Sequence, residues 1–259
     1  MLSGCTIYEP YAGSASVSLE MLERGFVQHA VLVERDPLIY AFWKAVFNNT
    51  EELCEKIETV EITIKTWQLF QDYRKVEFPE LYSIVELGFA GLFFNRTNFS
   101  GIIGAGPIGG YNQESDYSID CRFNKKRIIQ QIKNLACLKE KVTVLFDDAI
   151  GFMTEEEDNI ENNFCFVYID PPYYAQGKKL YRYFYDESAH QKLARYILSK
   201  EFPWLISYDN HPEIKKLYSQ TNSQPIYLDY SLKTSRQGCE LLISNLVIPP
   251  MSFALSYCD

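Results

Sequence analysis

The tetrapeptide Asp170-Pro171-Pro172-Tyr173 directly follows FCFVYI (164–169), an apolar run of the kind a central strand covered on both faces requires. Ligands of open α/β sheets bind at the carboxyl ends of the strands, so this turn stands where chemistry would occur. Two successive prolines remove two backbone donors and stiffen the chain, leaving carbonyls free as acceptors. Asp170 adds a carboxylate and Tyr173 an aromatic face. An exocyclic amino group on a planar base needs two acceptors and a stacking surface, and these four residues supply both. No strong general base stands nearby in sequence, which leaves Asp170 as the proton acceptor at hand.

A second constellation is Glu9-Pro10-Tyr11-Ala12-Gly13-Ser14-Ala15-Ser16, placed between a short β-prone segment and a helical pattern. Small residues let the backbone turn sharply and approach a ligand. Glu9 puts a carboxylate at the strand end, which suits a cationic or hydroxyl-bearing ligand and repels a pyrophosphate. Glu34 ends the next strand, where an acid accepts hydrogen bonds from ribose hydroxyls; the plainer reading is that both acids cap helices. A literal G-x-G-x-x-G at Gly104, Gly106 and Gly109 is rejected as a dinucleotide site. It follows no clean strand, contains Pro107 and opens no helix. The seven cysteines form no CxxC pair and the three histidines no cluster, so neither a metal site nor a disulfide framework is expected.

The elements that must position these residues alternate. Strands are expected at Cys5–Glu9, at Ala30–Val33 ending on Glu34, at Val142–Phe146, at Phe164–Ile169 and at Pro203–Ser207. Helical spacing follows Pro37 and recurs at 187–199 and 212–219. Two last strands, near Ile226–Tyr230 and Leu241–Ile248, read as a hairpin closing the sheet. Between about 55 and 135 the chain is more helical than its flanks and carries no strong strand. The expected architecture is α/β: a Rossmann-like, doubly wound sheet with a C-terminal antiparallel hairpin and a mainly helical insertion. The core would be 1–54 with 136–259, and the insertion 55–135.

With 259 residues, 47% hydrophobic and 23% charged, the chain is neither disordered nor collagen-like. It contains no apolar run long enough to span a membrane and no secretory signal, so a cytoplasmic monomer is the expectation. A net charge of −9 argues mildly against a nucleic-acid partner, but the charge is unevenly spread. Residues 122–141 hold seven Lys/Arg and one acid, whereas 147–161 hold seven acids and no base. Residues 173–185 interleave five tyrosines and a phenylalanine with Lys178, Lys179 and Arg182, a composition suited to phosphates and displaced bases.

The chain resembles the Dam-like group of DNA adenine methyltransferases, which use S-adenosylmethionine (SAM). The resemblance rests on EPYAGSAS (9–16), Glu34, FNRTNFSG (94–101), Asp148 after VTVLF and DPPY (170–173), with ISYDN (206–210) and ELLISN (240–245) similar to later strands of the family. It runs in the family's order from residue 5 to about 248 and implies a SAM-dependent methyltransferase core. By resemblance, Glu9, Pro10, Tyr11, Ala12, Gly13 and Ser14 line the methionine side of SAM, Glu34 takes the ribose and Asp148 the cofactor's adenine amino group. Asp170 and the Pro171 carbonyl, with Pro172 stiffening the turn, hold the target amino group beside the cofactor. Tyr173 stacks on a base flipped out of the duplex.

The resemblance makes double-stranded DNA the partner and the insertion the target-recognition region. Asn95, Arg96, Asn98 and Ser100 are candidate base or phosphate contacts, joined by Lys125, Lys126, Lys178, Lys179 and Arg182. One departure is the absence of the upstream Gly-Gly-Lys segment that closes over SAM in the family. Weak cofactor binding, a start site chosen too late, or a separate polypeptide supplying that segment would each account for the gap; such a polypeptide and a cognate restriction enzyme are further candidate partners. Three alternatives stand beside the leading reading: methylation of the cytosine amino group, methylation of RNA adenine, and a non-catalytic DNA- or partner-binding remnant.

Overall fold

A computed structural model describes residues 4–231 and 235–249. One seven-stranded sheet comprises β1 Thr6–Glu9, β2 His29–Glu34, β3 Val142–Phe146, β4 Cys165–Ile169, β5 Trp204–Asp209, β6 Asn222–Ser231 and β7 Ser235–Ser244. Its order is β3-β2-β1-β4-β5-β7-β6. The first five strands run parallel, and β7 enters antiparallel between β5 and β6. The order reverses direction between β1 and β4, and that switch point is where an open α/β sheet forms its ligand crevice. β3 occupies the expected residues. β7 begins and ends earlier than the periodicity suggested: Leu246 and Val247 lie beyond it and are exposed. An apolar tail past a hairpin strand carries the same pattern as the strand itself.

The helices are α1 Ser16–Glu23, α2 Pro37–Asn48, α3 Thr50–Thr59, α4 Ile64–Leu69, α5 Ile84–Thr97, α6 Lys125–Ala136, α7 Ala149–Glu155, α8 Glu157–Asn162, α9 Gly177–Leu180, α10 Glu187–Leu198 and α11 Pro212–Leu217. Local chemistry explains the start of α2: Asp36 accepts from the Leu38 N–H at 2.9 Å, and Pro37 sits at the first helical position. The acidic run 147–161 carries no helical signal in its charge pattern. It nonetheless forms α7 and α8, whose few apolar residues, Ile150, Phe152, Met153 and Ile160, are buried.

Adjacent residues of a strand face opposite sides, so Leu32 and Val33 enter different cores. One gathers Ile7, Leu32, Leu38, Phe89 and Phe93; the other gathers Val33, Val167, Ile169, Leu193 and Ile206. The segment 55–135 is helical, with no strand longer than an isolated bridge between Asn98 and Pro107 among its residues. It shares the first core through α5, which is apolar nearly all round and packs on α2. A Cβ on Gly88 would lie 2.6 Å from the Ala41 carbonyl oxygen, and one on Gly91 2.7 Å from that of Leu38. Only glycine permits so close an approach. The glycine-rich stretch folds back on the end of α5, with Phe99 N–H donating to Gly106 O and Ile108 N–H to Thr97 O. It opens no helix. Among the described residues, no helix is long and apolar enough to cross a membrane.

Candidate active site at the carboxyl ends of the parallel strands

A cavity of about 600 Å³ opens at the switch point, where the turns after β1, β2, β3 and β4 meet. Along β1 the alternation that buries Cys5 and Ile7 also turns Glu9 inward, leaving it 3% exposed at the strand end. Its Oε2 accepts from the Ser18 N–H at 3.1 Å, and burial pushes its carboxyl up to about 8. The chain then turns through Gly13, at φ +46°, and Ala15, at φ 49°, before α1 begins. Gly13 is held from both sides: its N–H donates to Glu34 Oε2 at 2.9 Å, and its carbonyl accepts from Trp43 Nε1 at 2.8 Å.

Glu34 also accepts from the Asp36 N–H at 2.7 Å, and burial raises its carboxyl to about 7. Each of its oxygens keeps further acceptor capacity. After β3, Asp148 caps α7 through the Gly151 N–H at 3.1 Å and pairs with Arg35 at 3.0 Å. That pair is partly exposed, so an amino group can compete with Arg35 at little penalty.

Asp170 lies at the end of β4. Its carboxylate is open to the cavity and nonetheless sits between low-dielectric walls, which raise it; a hydrogen bond from Ser207 opposes, nearby Glu240 adds to the rise, and the carboxyl stands at about 6. Ser207 Oγ donates to Asp170 Oδ1 at 2.7 Å. Tyr173 O–H donates to Glu240 Oε1 at 2.7 Å, and the Asp209 carboxylate accepts from the N–H groups of Tyr174 and Ala175 at 2.9 and 3.0 Å. Thus β5 and β7, paired with Asp209 opposite Glu240, hold the tetrapeptide from below.

All the sequence-predicted cofactor residues line this one cavity: Glu9, Pro10, Tyr11, Ala12, Gly13, Ser14, Glu34, Asp148 and Asp170. Pro172 joins them, while Pro171, buried, and Tyr173, half-buried, are not part of the lining. The residues singled out for DNA divide. Asn95 and Arg96 reach the cavity wall. Ser100, Lys126, Lys178 and Lys179 are exposed. Three others are spent inside the protein. Asn98 is fully buried, accepting from Trp67 Nε1 at 2.7 Å and donating to the Ile102 and Ile103 carbonyls, both at 2.9 Å. Lys125 donates to the Glu58 and Val60 carbonyls at the end of α3. Arg182 forms a largely buried ion pair with Asp36 at 2.9 Å and donates to the Val76 carbonyl at 2.9 Å. Its guanidinium braces the aromatic segment against the start of α2 and against Val76, at the wall of the cavity.

The site thus gathers acids at the carboxyl ends of β1, β2, β3 and β4 around a space able to take a cationic, hydroxyl-bearing ligand. The 3-2-1-4-5 order of the parallel strands is that of a doubly wound, Rossmann-like sheet, here with the antiparallel β7 inserted before β6. A family model for D12 class N6 adenine-specific DNA methyltransferases matches residues 3–231, and the chain belongs to that family. It is a SAM-dependent, adenine-specific DNA methyltransferase by class. No curated protein matches it in sequence. Among solved structures, Streptococcus pneumoniae Sp1610, assigned provisionally to tRNA (m1A22) methylation, is 10% identical; the match covers 97% of this chain and 67% of that one, with a TM-score of 0.37. A likeness at that level bears on neither the fold nor the substrate.

Proposed function

We propose that the chain is a site-specific enzyme that transfers the methyl group of SAM to the exocyclic amino group of an adenine flipped out of duplex DNA. The observation that carries this reading is the meeting, in one cavity, of the Asp170 carboxylate with Glu9 and Glu34. The donor set fits SAM: burial leaves these acids short of solvation, a positive ligand relieves that, and Glu34 retains acceptor capacity for ribose hydroxyls. Asp148 is placed for the cofactor's adenine amino group. Glu9, Pro10, Tyr11, Ala12, Gly13 and Ser14 form the wall on the methionine side.

SAM, when bound, supplies an electrophilic methyl on a sulfonium. The chain's own residues do the rest. Asp170 accepts one amino proton of the target, and the resemblance gives the other to the carbonyl of Pro171, the next residue of the turn, which aims the nitrogen lone pair away from them and across the cavity. Tyr173, tied to Glu240, offers its ring to the extruded base. Asp170, whose carboxyl is raised, would receive the proton that the target amino nitrogen gives up on methylation.

Residues 55–135 serve as the target-recognition region beside a core of 1–54 and 136–259. Asn95 and Arg96 face the substrate, and exposed Lys126, Lys178 and Lys179 contact phosphates. Labelled methyl transfer from SAM to duplex DNA tests the reading: the wild type labels DNA, and Asp170→Ala lowers the rate by at least about three orders of magnitude. Undiminished labelling by Asp170→Ala would sink the mechanism.

A further inference from the structure

We infer that Ser207 and Tyr168 are positioning residues for the methyl-transfer reaction: together they fix Asp170 so that one carboxylate oxygen is held from within and the other is left for the target amino group. The inference deepens the function proposed above and rests on it. Three atoms carry it. Tyr168 Oη lies 2.9 Å from Ser207 Oγ, and Ser207 Oγ lies 2.7 Å from Asp170 Oδ1. An ionised carboxylate can only accept, so the Ser207 hydroxyl must spend its single proton on Asp170. Ser207 Oγ must then accept from the Tyr168 O–H. The direction of the chain, Tyr168 to Ser207 to Asp170, is therefore forced.

The elements explain why these residues meet. β4 and β5 pair with Tyr168 opposite Leu205 and Ile169 opposite Ile206. Two residues beyond Leu205, Ser207 is on the same face as Tyr168 and level with the strand end where Asp170 begins the turn. Ser207 is 4% exposed, so water does not substitute for its hydroxyl. Tyr168 lines the cavity, and burial, reinforced by the nearby Asp170, Glu9 and Glu240 carboxyls, pushes its hydroxyl well above the ordinary phenol range, which keeps it a donor.

A carboxylate gripped at one oxygen cannot rotate freely about χ2, so its free oxygen is pre-aimed and rejects a carbonyl, which has no proton to give. Removing the Ser207 hydroxyl also removes a hydrogen bond that favours the charged form. The acid limb of the rate profile then moves to higher pH. The other groups facing Asp170 are Glu9 on β1, Tyr208 on β5 and Glu240 on β7. Of these, Glu240 acts oppositely to Ser207: its charge raises Asp170, so Glu240→Gln moves the limb downward.

The test combines pH profiles of kcat with a carboxyl titration of Asp170 by carbon-13 NMR in the ligand-free chain. Ser207→Ala should lower kcat about tenfold or more and raise both the acid limb and the Asp170 titration by about one pH unit. KM for SAM should stay within about twofold, because Ser207 lies outside the cofactor cavity wall. Tyr168→Phe gives a smaller shift in the same direction, and Ser207→Thr, which keeps the hydroxyl, restores both readouts. An unshifted limb and titration in Ser207→Ala overturn the inference. A wild-type chain that transfers no methyl to DNA overturns the function on which it rests, and the NMR titration still reports separately whether Ser207 controls Asp170.

Discussion

Asn95 and Asn98 stand three residues apart in FNRTNFSG, and both were candidates for contacting DNA. The structure exposes one at the cavity and buries the other completely. Nothing in the residue types separates them. The difference is that Asn98 follows the last turn of α5 and turns inward to satisfy the Trp67 indole and two loop carbonyls. Asn98→Ala leaves those buried groups unpaired and should destabilise the chain by about 2–4 kcal/mol. Urea unfolding measures this; an unchanged midpoint with weakened DNA binding would restore Asn98 as a base contact. DPPY was legible because its chemistry is confined to four consecutive residues after an unmistakable strand. Its supports, Ser207 and Glu240, were not assigned, because their nearness depends on how β5 and β7 pair.

At the scale of elements, the aromatic segment 173–185 illustrates what composition can and cannot convey. Its tyrosines and cations predicted a surface for nucleic acid, and Lys178 and Lys179 are indeed exposed. Arg182 is instead paired with Asp36, the residue that caps α2, and also reaches the Val76 carbonyl. One side chain thereby fastens the segment after β4 to the helix after β2 and to the insertion. Arg182→Met leaves a buried carboxylate without its counter-ion, so a loss of about 3–5 kcal/mol is expected. The loss grows with pH, since Asp36 must then carry an unpaired charge. Adding Asp36→Asn should recover most of it, and additive single and double losses in a denaturation series would contradict the pairing. The strand positions were readable because apolar runs bounded by Gly, Pro and acids mark them directly. α7 and α8 were not, since their buried residues are thinly spread through a predominantly acidic stretch.

For the whole molecule, the net charge of −9 matters less than where the acids sit. Glu9, Glu34 and Asp170 have folded-state values of about 8, about 7 and about 6, all above their ordinary values, because burial disfavours their charged forms. The folded chain therefore keeps protons that the unfolded chain has released, and the linkage has a fixed sign. Their contribution to stability is fully present below about pH 4 and is lost as pH rises through those folded-state values. Thermal unfolding of the ligand-free chain should show these acids lowering the midpoint from about pH 5 to about pH 8. Glu9→Gln should flatten that fall, and an identical pH curve for the variant would contradict the assignment. These strained acids are the counterpart of a binding site built for a cation.

The account stands most directly on which nucleoside acquires the methyl group. Duplex DNA incubated with the chain and SAM, then digested to nucleosides and resolved by mass spectrometry, should yield N6-methyldeoxyadenosine with the wild type and none with Asp170→Ala. Methylated cytosine as the product, or no methylated nucleoside from a chain that is folded and binds SAM, would contradict it.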